Sequence, residues 1–215
     1  MYNLHCHSLL SDGVLLPSEI AVRYLTAGYK TIAITDHADY SNIEFVIKSI
    51  LTFTRKWPKN SVPINVLPGI ELTHLPLEQF GPLVKYARRK GIKIVVGHGE
   101  TQAEPVISGT NRAAILAGVD ILAHPGLITE EDAQLAKKKN VFLEITSRQS
   151  HAATNAHVVK QALKTGANLI LNMDAHDPQD IIRPQELNDT GIKAGLAQAQ
   201  IETIFSIVAD FVSGK

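Results

Sequence analysis

Short apolar runs alternate with longer segments of helical periodicity along the whole chain. Seven runs rich in Val, Ile and Leu have the length of strands, and they span residues 2 to 7, 31 to 36, 64 to 72, 93 to 98, 120 to 124, 141 to 146 and 168 to 173. Segments with helical spacing of apolar residues span 17 to 27, 41 to 57, 76 to 90, 109 to 117, 129 to 139, 154 to 165 and 189 to 212. The pattern therefore predicts an α/β chain in which strands and helices alternate.

This alternation predicts parallel strands. Parallel neighbours are joined by long right-handed crossovers, whereas antiparallel hairpins would need short turns that this chain lacks. Helices commonly end at a glycine, and glycine follows four of the predicted helices, at Gly28, Gly91, Gly118 and Gly166. Two architectures fit. An open doubly wound sheet would bind a ligand at one switch point, whereas a closed barrel would bring every strand end to one face.

Residues that can bind metals stand at the ends of six of the seven predicted strands. They are His5, His7, His37, Glu71, His98, His124, Asp174 and His176. The strand at 141 to 146 leads to Arg148 instead. Because the C-terminal ends of barrel strands meet on one face, these side chains would converge in a barrel. The pattern therefore favours a TIM-like barrel of parallel strands with a polynuclear metal site at the C-terminal strand ends.

Composition agrees with one domain over residues 1 to 215. A chain that is 45% hydrophobic can bury one substantial core. Lys plus Arg and Asp plus Glu are both 21, so no general attraction to nucleic acid or anionic membrane is expected, and small partners are favoured. The single Cys6 excludes an internal disulfide, and no signal peptide or long apolar stretch is evident. These features predict a cytoplasmic location.

The spacing of the ligands predicts how they would share ions. His5 and His7 lie two residues apart on one strand and so face the same side, and barrel closure would bring Asp174 next to them. The expected groups are His5, His7 and Asp174; Glu71, His98 and His124; and the loop residue Asp12 with His37 and His176. Mixed imidazole and carboxylate ligands suit Zn, Mn or Fe better than Mg or Ca. We therefore expect two or three divalent metal ions.

The same residues resemble the motifs of the PHP family, metal-dependent phosphoesterases named for polymerases and histidinol phosphatase. The matching motifs occur in the family's order, as His5-Cys6-His7, Ser11-Asp12-Gly13, Ile34-Thr35-Asp36-His37, Gly69-Ile70-Glu71, a lone His98, Ala123-His124-Pro125 and Asp174-Ala175-His176. The resemblance runs from Tyr2 to about Arg183. It implies a distorted (β/α)7 barrel that carries up to three ions.

The resemblance also implies a ligand set for each ion. The family pattern gives three groups: His5, His7, Glu71 and Asp174; Glu71, His98 and His124; and Asp12, His37 and His176. Glu71 would bridge two ions. Asp12 stands where some members of the family have His, a difference that would weaken or alter the third site.

Clustered ions can activate a bridging water and neutralise phosphoryl oxygens, so hydrolysis of a phosphate ester is the expected reaction. The catalytic candidates are Glu71, Asp174 and Arg148, whose guanidinium could grip phosphate oxygens bidentately. Asp36 and Glu144, at strand termini, are candidates for supporting the ligand histidines. Other histidines are expected in loops or on helix surfaces, with His151 as the one that could line the mouth of the site.

Three functions fit the sequence. The leading hypothesis is a phosphomonoesterase acting on a small phosphorylated metabolite, similar to histidinol phosphate, because the chain is compact and its loops are short apart from residues 99 to 112. A phosphodiesterase or exonuclease acting on nucleotides or oligonucleotides would use the same ions. A non-catalytic PHP module, kept as a structural or regulatory unit, is the third. Such modules typically lose ligands, whereas this chain offers a full set.

Overall fold

The computed structural model describes all 215 residues and shows a nearly closed barrel of parallel strands surrounded by helices. The strands are β1 (Tyr2–Asn3), β2 (Thr31–Ile34), β3 (His37–Ala38), β4 (Asn65–Leu72), β5 (Ile94–His98), β6 (Ile121–Ala123), β7 (Phe142–Thr146) and β8 (Leu169–Asn172). They pair in the order β1, β2, β4, β5, β6, β7 and β8, while the short β3 pairs with β4. The prediction of a seven-stranded TIM-like barrel is confirmed.

The helices pack around the outside of the sheet. They are α1 (Pro17–Thr26), α2 (Ile43–Lys56), α3 (Phe80–Lys90), α4 (Thr110–Ala117), α5 (Glu130–Lys139), α6 (Asn155–Thr165), α7 (Pro184–Lys193) and α8 (Gln198–Ser213). Short 3₁₀ turns lie at Leu77–Gln79, Ala152–Thr154 and Pro178–Asp180. None of these helices has both the length and the apolar character needed to cross a bilayer.

The second predicted strand, 31 to 36, is shorter in the structure: β2 ends at Ile34, and its ladder with β4 is interrupted around Pro68-Gly69 before β3 begins at His37. Pro68 has no N–H to give to the ladder. Gly69 leaves room for the close approach of the adjoining strand, since a Cβ there would lie 2.6 Å from the Thr35 methyl carbon. Pairing resumes where His37 in β3 meets Glu71 in β4. The break therefore sets two of the predicted ligands side by side.

The barrel closes between its first and last strands through two asparagine side chains. The Leu4 N–H donates to Asn172 Oδ1 at 2.8 Å, and the Met173 N–H donates to Asn3 Oδ1, also at 2.8 Å. Beyond them, the His7 N–H donates to the Ala175 carbonyl at 2.8 Å. Both asparagines are fully buried. Side-chain amides thus satisfy backbone groups that a regular ladder would pair, and they join the His5–His7 segment to Asp174.

The last helix differs from the prediction. A single helix over 189 to 212 is expected from the apolar spacing, but the structure has α7 and α8 with a turn between them. Gly195 in this turn has a φ of 100°, a left-handed conformation that favours glycine and ends the helix. Helix α7 begins earlier than predicted, at Pro184, and the Arg183 N–H donates to Glu186 at 2.9 Å. A proline at the first helical position was the signal for this start.

Candidate metal centre

The strand ends bring an interior group of imidazoles and carboxylates together at one end of the barrel. We call His5, His7, Glu71, His124 and Asp174 the interior cluster. His5 Nε2 lies 3.5 Å from Glu71 Oε1 and 3.4 Å from Asp174 Oδ1. His7 Nε2 lies 3.5 Å from Glu71 Oε2 and 3.2 Å from Asp174 Oδ1. His124 Nε2 is 3.9 Å from Glu71 and 3.8 Å from Asp174. All five side chains are buried.

An outer cluster adjoins the interior one and consists of Asp12, His37 and His176, with His7 shared between the two. Asp12 Oδ2 lies 3.5 Å from His37 Nε2 and 3.2 Å from His176 Nε2, and its other oxygen lies 3.8 Å from His7 Nδ1. The His7 and His176 rings stack with their centroids 4.1 Å apart. Ligand atoms of these four residues all lie within 4.8 Å of one another, so they could hold one ion.

His98 lies beside its expected neighbour His124 and also beside the loop residue Glu104. The only carboxylate within 4.0 Å of its ring nitrogens is Glu104, at 3.3 Å, and His74 lies 3.1 Å from the same Glu104 oxygen. The loop after β5 folds back across the barrel mouth and brings Glu104 to the outer side of the His98 ring. The expected neighbour His124 packs edge-on against His98 at 4.5 Å between centroids. We call His74, His98 and Glu104 the rim cluster.

Glu144 contacts two residues of the interior cluster, His5 and His124. It projects from β7 and is fully buried. Its Oε1 lies 2.8 Å from His5 Nδ1 and accepts from Asn172 Nδ2 at 2.9 Å, while Oε2 accepts the His124 N–H at 3.2 Å. The contact with His5 directs Nε2 of that ring toward Glu71 and Asp174. Glu144 therefore orients a candidate ligand, as carboxylates behind metal-binding histidines commonly do.

Asp36 supports a loop instead of a histidine. This buried carboxylate accepts the Ser8 N–H at 2.7 Å and the Ser11 hydroxyl at 2.9 Å. Those contacts fix the turn that presents Asp12 to His37 and His176. The interpretation of Asp36 as a partner of a ligand histidine does not match these hydrogen bonds, although its role remains one of support.

Three non-glycine residues at the site have positive φ angles. His74 has a φ of 51°, His124 of 27° and Asp174 of 52°. Such angles are uncommon outside glycine and cost free energy when imposed on other residues. Each of these residues stands just after the end of a strand, where the turn directs its side chain into the barrel mouth. The strain is therefore concentrated on residues that form the clusters.

The imidazoles around Glu71 favour its ionised form. Burial opposes ionisation of Glu71, but His5 and His37 outweigh it and hold the pKa of Glu71 well below its ordinary value. Burial likewise opposes protonation of His37, yet Glu71 and Asp12 raise the pKa of His37 to about 10. Asp174 is different, because burial raises its pKa even though His5 acts against the shift. Glu71 is thus ionised at neutral pH, as metal ligation requires.

The buried atoms of the interior cluster fit divalent cations. Glu71 Oε2 lies 2.8 Å from His37 Nδ1, but neither Glu71 oxygen accepts a hydrogen bond of normal geometry, and Nδ1 of His7 and of His124 also lacks a partner. His5 Nε2 and His7 Nε2 face each other at 3.1 Å. Buried polar atoms without partners are costly and rare in proteins. Cations between these donors would satisfy them, and imidazole with carboxylate is a donor set for Zn, Mn or Fe.

Arg148 lies at the edge of the clusters and is partly exposed. Its Nε is 3.6 Å from Asp174 Oδ2, and its Nη1 lies 2.8 Å from His176 Nδ1 and 3.3 Å from Asp180 Oδ2. These contacts place the guanidinium next to candidate ligands. A cavity of about 440 Å³ adjoins it, lined in part by Ser147, Gln149 and Asp177. Arg148 is therefore positioned to meet an anion that enters from this side.

Two further residues, His151 and Glu104, lie closer to the clusters than the sequence predicts. His151 is buried, stacks on His124 at 4.2 Å between centroids, and lies 2.7 Å from the Thr101 hydroxyl through Nδ1. Glu104 is not among the residues that the sequence predicts for the site, because nothing in the spacing links this loop residue to His98.

Comparison with known proteins gives a family match over most of the chain. The PHP domain profile matches residues 3–164. An uncharacterized protein of Methanocaldococcus jannaschii is 40% identical over 202 residues, which cover 94% of this chain and 93% of that protein. DNA polymerase/3'-5' exonuclease PolX of Bacillus subtilis is 27% identical over 197 residues, and these are 81% of this chain but only 34% of PolX. This chain thus spans about a third of PolX.

Solved structures agree on the fold. The histidinol phosphate phosphatase of Lactococcus lactis, in complex with zinc, L-histidinol and phosphate, aligns with a TM-score of 0.63 and 16% identity. The alignment covers 91% of this chain and 94% of that one. A putative prolidase from Bifidobacterium longum aligns with a TM-score of 0.56 and 14% identity over 93% of this chain and 65% of that one. At such identities the likeness establishes the barrel architecture alone.

Proposed function

Because the chain belongs to the PHP family, whose members are metal-dependent phosphoesterases, we propose that it hydrolyses a phosphate monoester of a small metabolite. The observation that carries the proposal is the complete burial of Glu71 among imidazoles delivered by separate strands, with His37 Nδ1 2.8 Å away but neither Glu71 oxygen accepting a hydrogen bond of normal geometry. A structural module has no need for such an arrangement. A site built to hold cations against a phosphoryl group does.

We propose that the interior and outer clusters hold the metal ions. Ions bound there would supply an activated water and neutralise phosphoryl oxygens. Glu71 would contribute both of its oxygens, because Oε1 faces His5 and His124 while Oε2 faces His7. Asp174 would contribute both oxygens as well, with Oδ1 near His7 and Oδ2 near His124. Loss of either carboxylate would therefore disturb more than one set of donors.

Arg148 is the proposed phosphate-binding residue. The three hydrogen bonds of the Arg148 side chain all use Nη1, which leaves Nη2 for a phosphate oxygen. Asp180 and the Asp174 carbonyl oxygen fix the guanidinium at the mouth of the site. Guanidinium binds phosphate with directed, charge-assisted hydrogen bonds. The residue would thus orient the substrate without contacting a metal.

The preference for a small substrate rests on the compactness of the chain. The longest connections from a strand to the next helix run from Leu4 to Leu16, from Gly99 to Gly109 and from Met173 to Arg183, and none of them holds an inserted domain over the clusters. A substrate of the histidinol phosphate kind would fit this arrangement. The absence of an inserted domain also supports the expectation of a single domain over residues 1 to 215.

The proposal is tested with protein stripped by a chelator and reloaded with Zn²⁺, Mn²⁺ or Fe²⁺. Hydrolysis of an aryl phosphate monoester should depend on reloading, and a panel of small phosphorylated metabolites should include better substrates than the matching aryl diester. Full activity of the stripped protein would contradict metal-dependent catalysis. Absence of hydrolysis with every metal and substrate would favour a non-catalytic module.

A phosphodiesterase is the second candidate, and the PolX relative is the observation in its favour. The same clusters would serve a diester, so the distinction depends on the remainder of the substrate. A 5'-labelled and a 3'-labelled single-stranded oligonucleotide, each assayed beside the small monoesters, separates the two activities. Processive shortening of the oligonucleotide at rates above those for monoesters would replace the first proposal with the second.

A further inference from the structure

Exposed basic side chains without acidic partners surround the outer side of α2. Six Lys and Arg residues line the depressions there, all of them are exposed, and none forms an ion pair. They are Lys48, Arg55, Lys56, Lys59, Lys90 and Lys93. By contrast, Arg23, Arg112 and Lys164 elsewhere on the protein pair with acids. The six cations, which we call the basic face, therefore concentrate positive charge on a chain whose formal net charge is zero.

Helix dipoles account for only half of this charge. Three of the six cations lie in the last turns of α2 and α3, where the dipole stabilises positive charge. Lys48 lies in the middle of α2, and Lys59 and Lys93 lie in the segments that lead into β4 and β5. The one acid that lines these depressions is Glu44, whose carboxylate accepts the Tyr86 hydroxyl at 3.0 Å. The repulsion among the cations is relieved when a polyanion binds across them.

Aromatic side chains stand among the cations. Phe45 is 58% exposed on α2. Phe53 and Trp57 pack with their ring centroids 5.2 Å apart, and with Phe45 they line a depression of about 570 Å³. Lys48 and Lys56 line the same depression. Exposed rings beside cations form a surface on which the bases of a nucleic acid stack while its phosphates meet positive charge.

Two further depressions extend the basic face along α2. One of about 790 Å³ lies between the end of α2 and β4, where Trp57, Lys59 and Lys93 line it. The other lies between α2 and α3, where the Lys90 ammonium group stands 5.2 Å from the centroid of the Tyr86 ring. The three depressions share lining residues, so they form one continuous surface beside a helix of 14 residues. Such a helix is about 21 Å long, which suits an extended ligand.

The basic face is separate from the candidate metal centre. The interior and outer clusters lie at the C-terminal ends of the strands, whereas Lys59 and Lys93 precede the N-terminal ends of β4 and β5. No residue of either cluster lines the three depressions. A ligand held by the basic face therefore binds without entering the metal centre.

We propose that the basic face binds single-stranded nucleic acid. A single strand offers both repeated phosphates for the cations and unpaired bases for the aromatic rings. An acidic peptide offers the charge without the bases, and a duplex keeps its bases paired and stacked. The proposal goes beyond the reaction at the clusters, because a surface of this kind holds the protein on nucleic acid whichever phosphate ester it hydrolyses.

Binding is measured by fluorescence anisotropy with an internally labelled circular single-stranded oligonucleotide, which has no end for a phosphatase or exonuclease to attack. A triple variant neutralises the end of α2 with Arg55→Gln, Lys56→Gln and Lys59→Gln. The matched control changes the three exposed lysines at 137 to 139, in the last turn of α5, to Gln. Both variants carry the same net charge, so a general electrostatic effect alters them equally.

The wild type and the control should bind the oligonucleotide with equal affinity, and the α2 variant should bind at least about 10-fold more weakly. The slope of log affinity against log salt should become shallower by about 2 in the α2 variant, because each lost contact with a single strand removes about 0.7. All three proteins should hydrolyse an aryl phosphate monoester at the same rate, since the basic face is separate from the clusters.

The aromatic contribution is tested with Phe45→Ala beside Leu116→Ala, which removes another exposed apolar side chain, on α4. Phe45→Ala should weaken binding of the oligonucleotide by about 5-fold or more, the scale for losing one stacked base, and should leave the salt slope unchanged. Leu116→Ala should bind like the wild type. A duplex of the same length and polyglutamate should compete less well than the single strand.

Four results would overturn the proposal. Absence of binding by the wild type, or equal affinities in the α2 variant and its control, would show that nucleic acid does not bind the basic face. Equal competition by polyglutamate, with no effect of Phe45→Ala, would identify a surface for acidic proteins instead. Loss of monoester hydrolysis in the α2 variant alone would make the basic face a part of the metal centre. Failure of the wild type to hydrolyse any ester would contradict the proposed function and leave the binding result unaffected.

Discussion

Glu144 Oε1 lies 2.8 Å from His5 Nδ1, and both side chains are completely excluded from solvent. This contact joins β7 to the segment that follows β1, across the seam where the barrel closes. It fixes which nitrogen of His5 faces Glu71 and Asp174. A residue that touches no substrate therefore controls the direction of a candidate metal ligand.

Glu144→Gln should weaken metal binding by about 10- to 100-fold, the range seen when a partner behind a metal ligand is changed. The amide is close in shape but carries no charge to raise the basicity of His5. Metal affinity measured by competition with a chelating dye checks the effect, and Glu131→Gln on the exposed face of α5 is the matched control. Equal metal affinities in both variants and the wild type, with folding shown by circular dichroism, would show that Glu144 does not support metal binding.

Glu71→Ala should abolish turnover and reduce the amount of bound metal. Glu71 contacts His5 and His37 and faces His7 and His124, so one substitution removes donors from both sides of the interior cluster. Elemental analysis and hydrolysis of an aryl phosphate monoester are measured on the same preparation, with Glu78→Gln as the surface control. Retention of the full metal content and of turnover in Glu71→Ala would be incompatible with a bridging role.

Arg148→Ala should lose about 2 to 4 kcal/mol of transition-state stabilisation while keeping its metals, the scale for removing one well-placed charged donor. Arg148→Lys should recover part of the loss, because an ammonium group cannot reproduce the guanidinium fork. The measurement is kcat/KM with monoester and diester substrates, together with metal content. If kcat/KM is unchanged for both substrates, Arg148 acts only in its ion pairs, and Arg112 and Arg183 become the next candidates.

Asn172→Ala should destabilise the fold by about 1 to 3 kcal/mol, the cost of leaving a buried backbone group unpaired. The substitution removes the acceptor of the Leu4 N–H and a donor to Glu144 at the barrel seam. Urea denaturation measures the change, and Asn60→Ala in an exposed turn serves as the control. Equal midpoints for the two variants would show that the amide contacts do not contribute to closure.

Gly195→Ala should destabilise the protein by about 1 to 2 kcal/mol, because Gly195 has a φ of 100°, which disfavours residues with a Cβ. Gly214→Ala is the matched control, since Gly214 has a φ of −85° and a Cβ there would make only an ordinary contact with the Phe211 carbonyl oxygen at 3.7 Å. The control should change stability little. Thermal denaturation compares both variants with the wild type. Equal melting temperatures for the two variants would show that the backbone conformation at Gly195 does not contribute to stability.

Much of the architecture could be predicted because strand and helix periods are local properties of the sequence. The seven apolar runs and the helical segments between them lie within a few residues of the observed strands and helices. The barrel is predicted from the polar residues at the strand ends. The final helix was predicted poorly, since the apolar spacing around Ile201 and Val208 says little about the conformation at Gly195. A proline at the first helical position predicts the start of α7 at Pro184, whereas the apolar spacing alone predicts a start at residue 189.

The sequence by itself determined the identity of the candidate ligands, because residues at successive strand ends of a parallel barrel must converge whatever the details of packing. Only the tertiary structure decided which other side chains meet them. Glu104 reaches His98 through the path of the loop between β5 and α4, and Glu144 reaches His5 because the seam closes through Asn3 and Asn172. These contacts join residues far apart in the chain, and no local spacing encodes which side chains a closed barrel brings within a few ångströms.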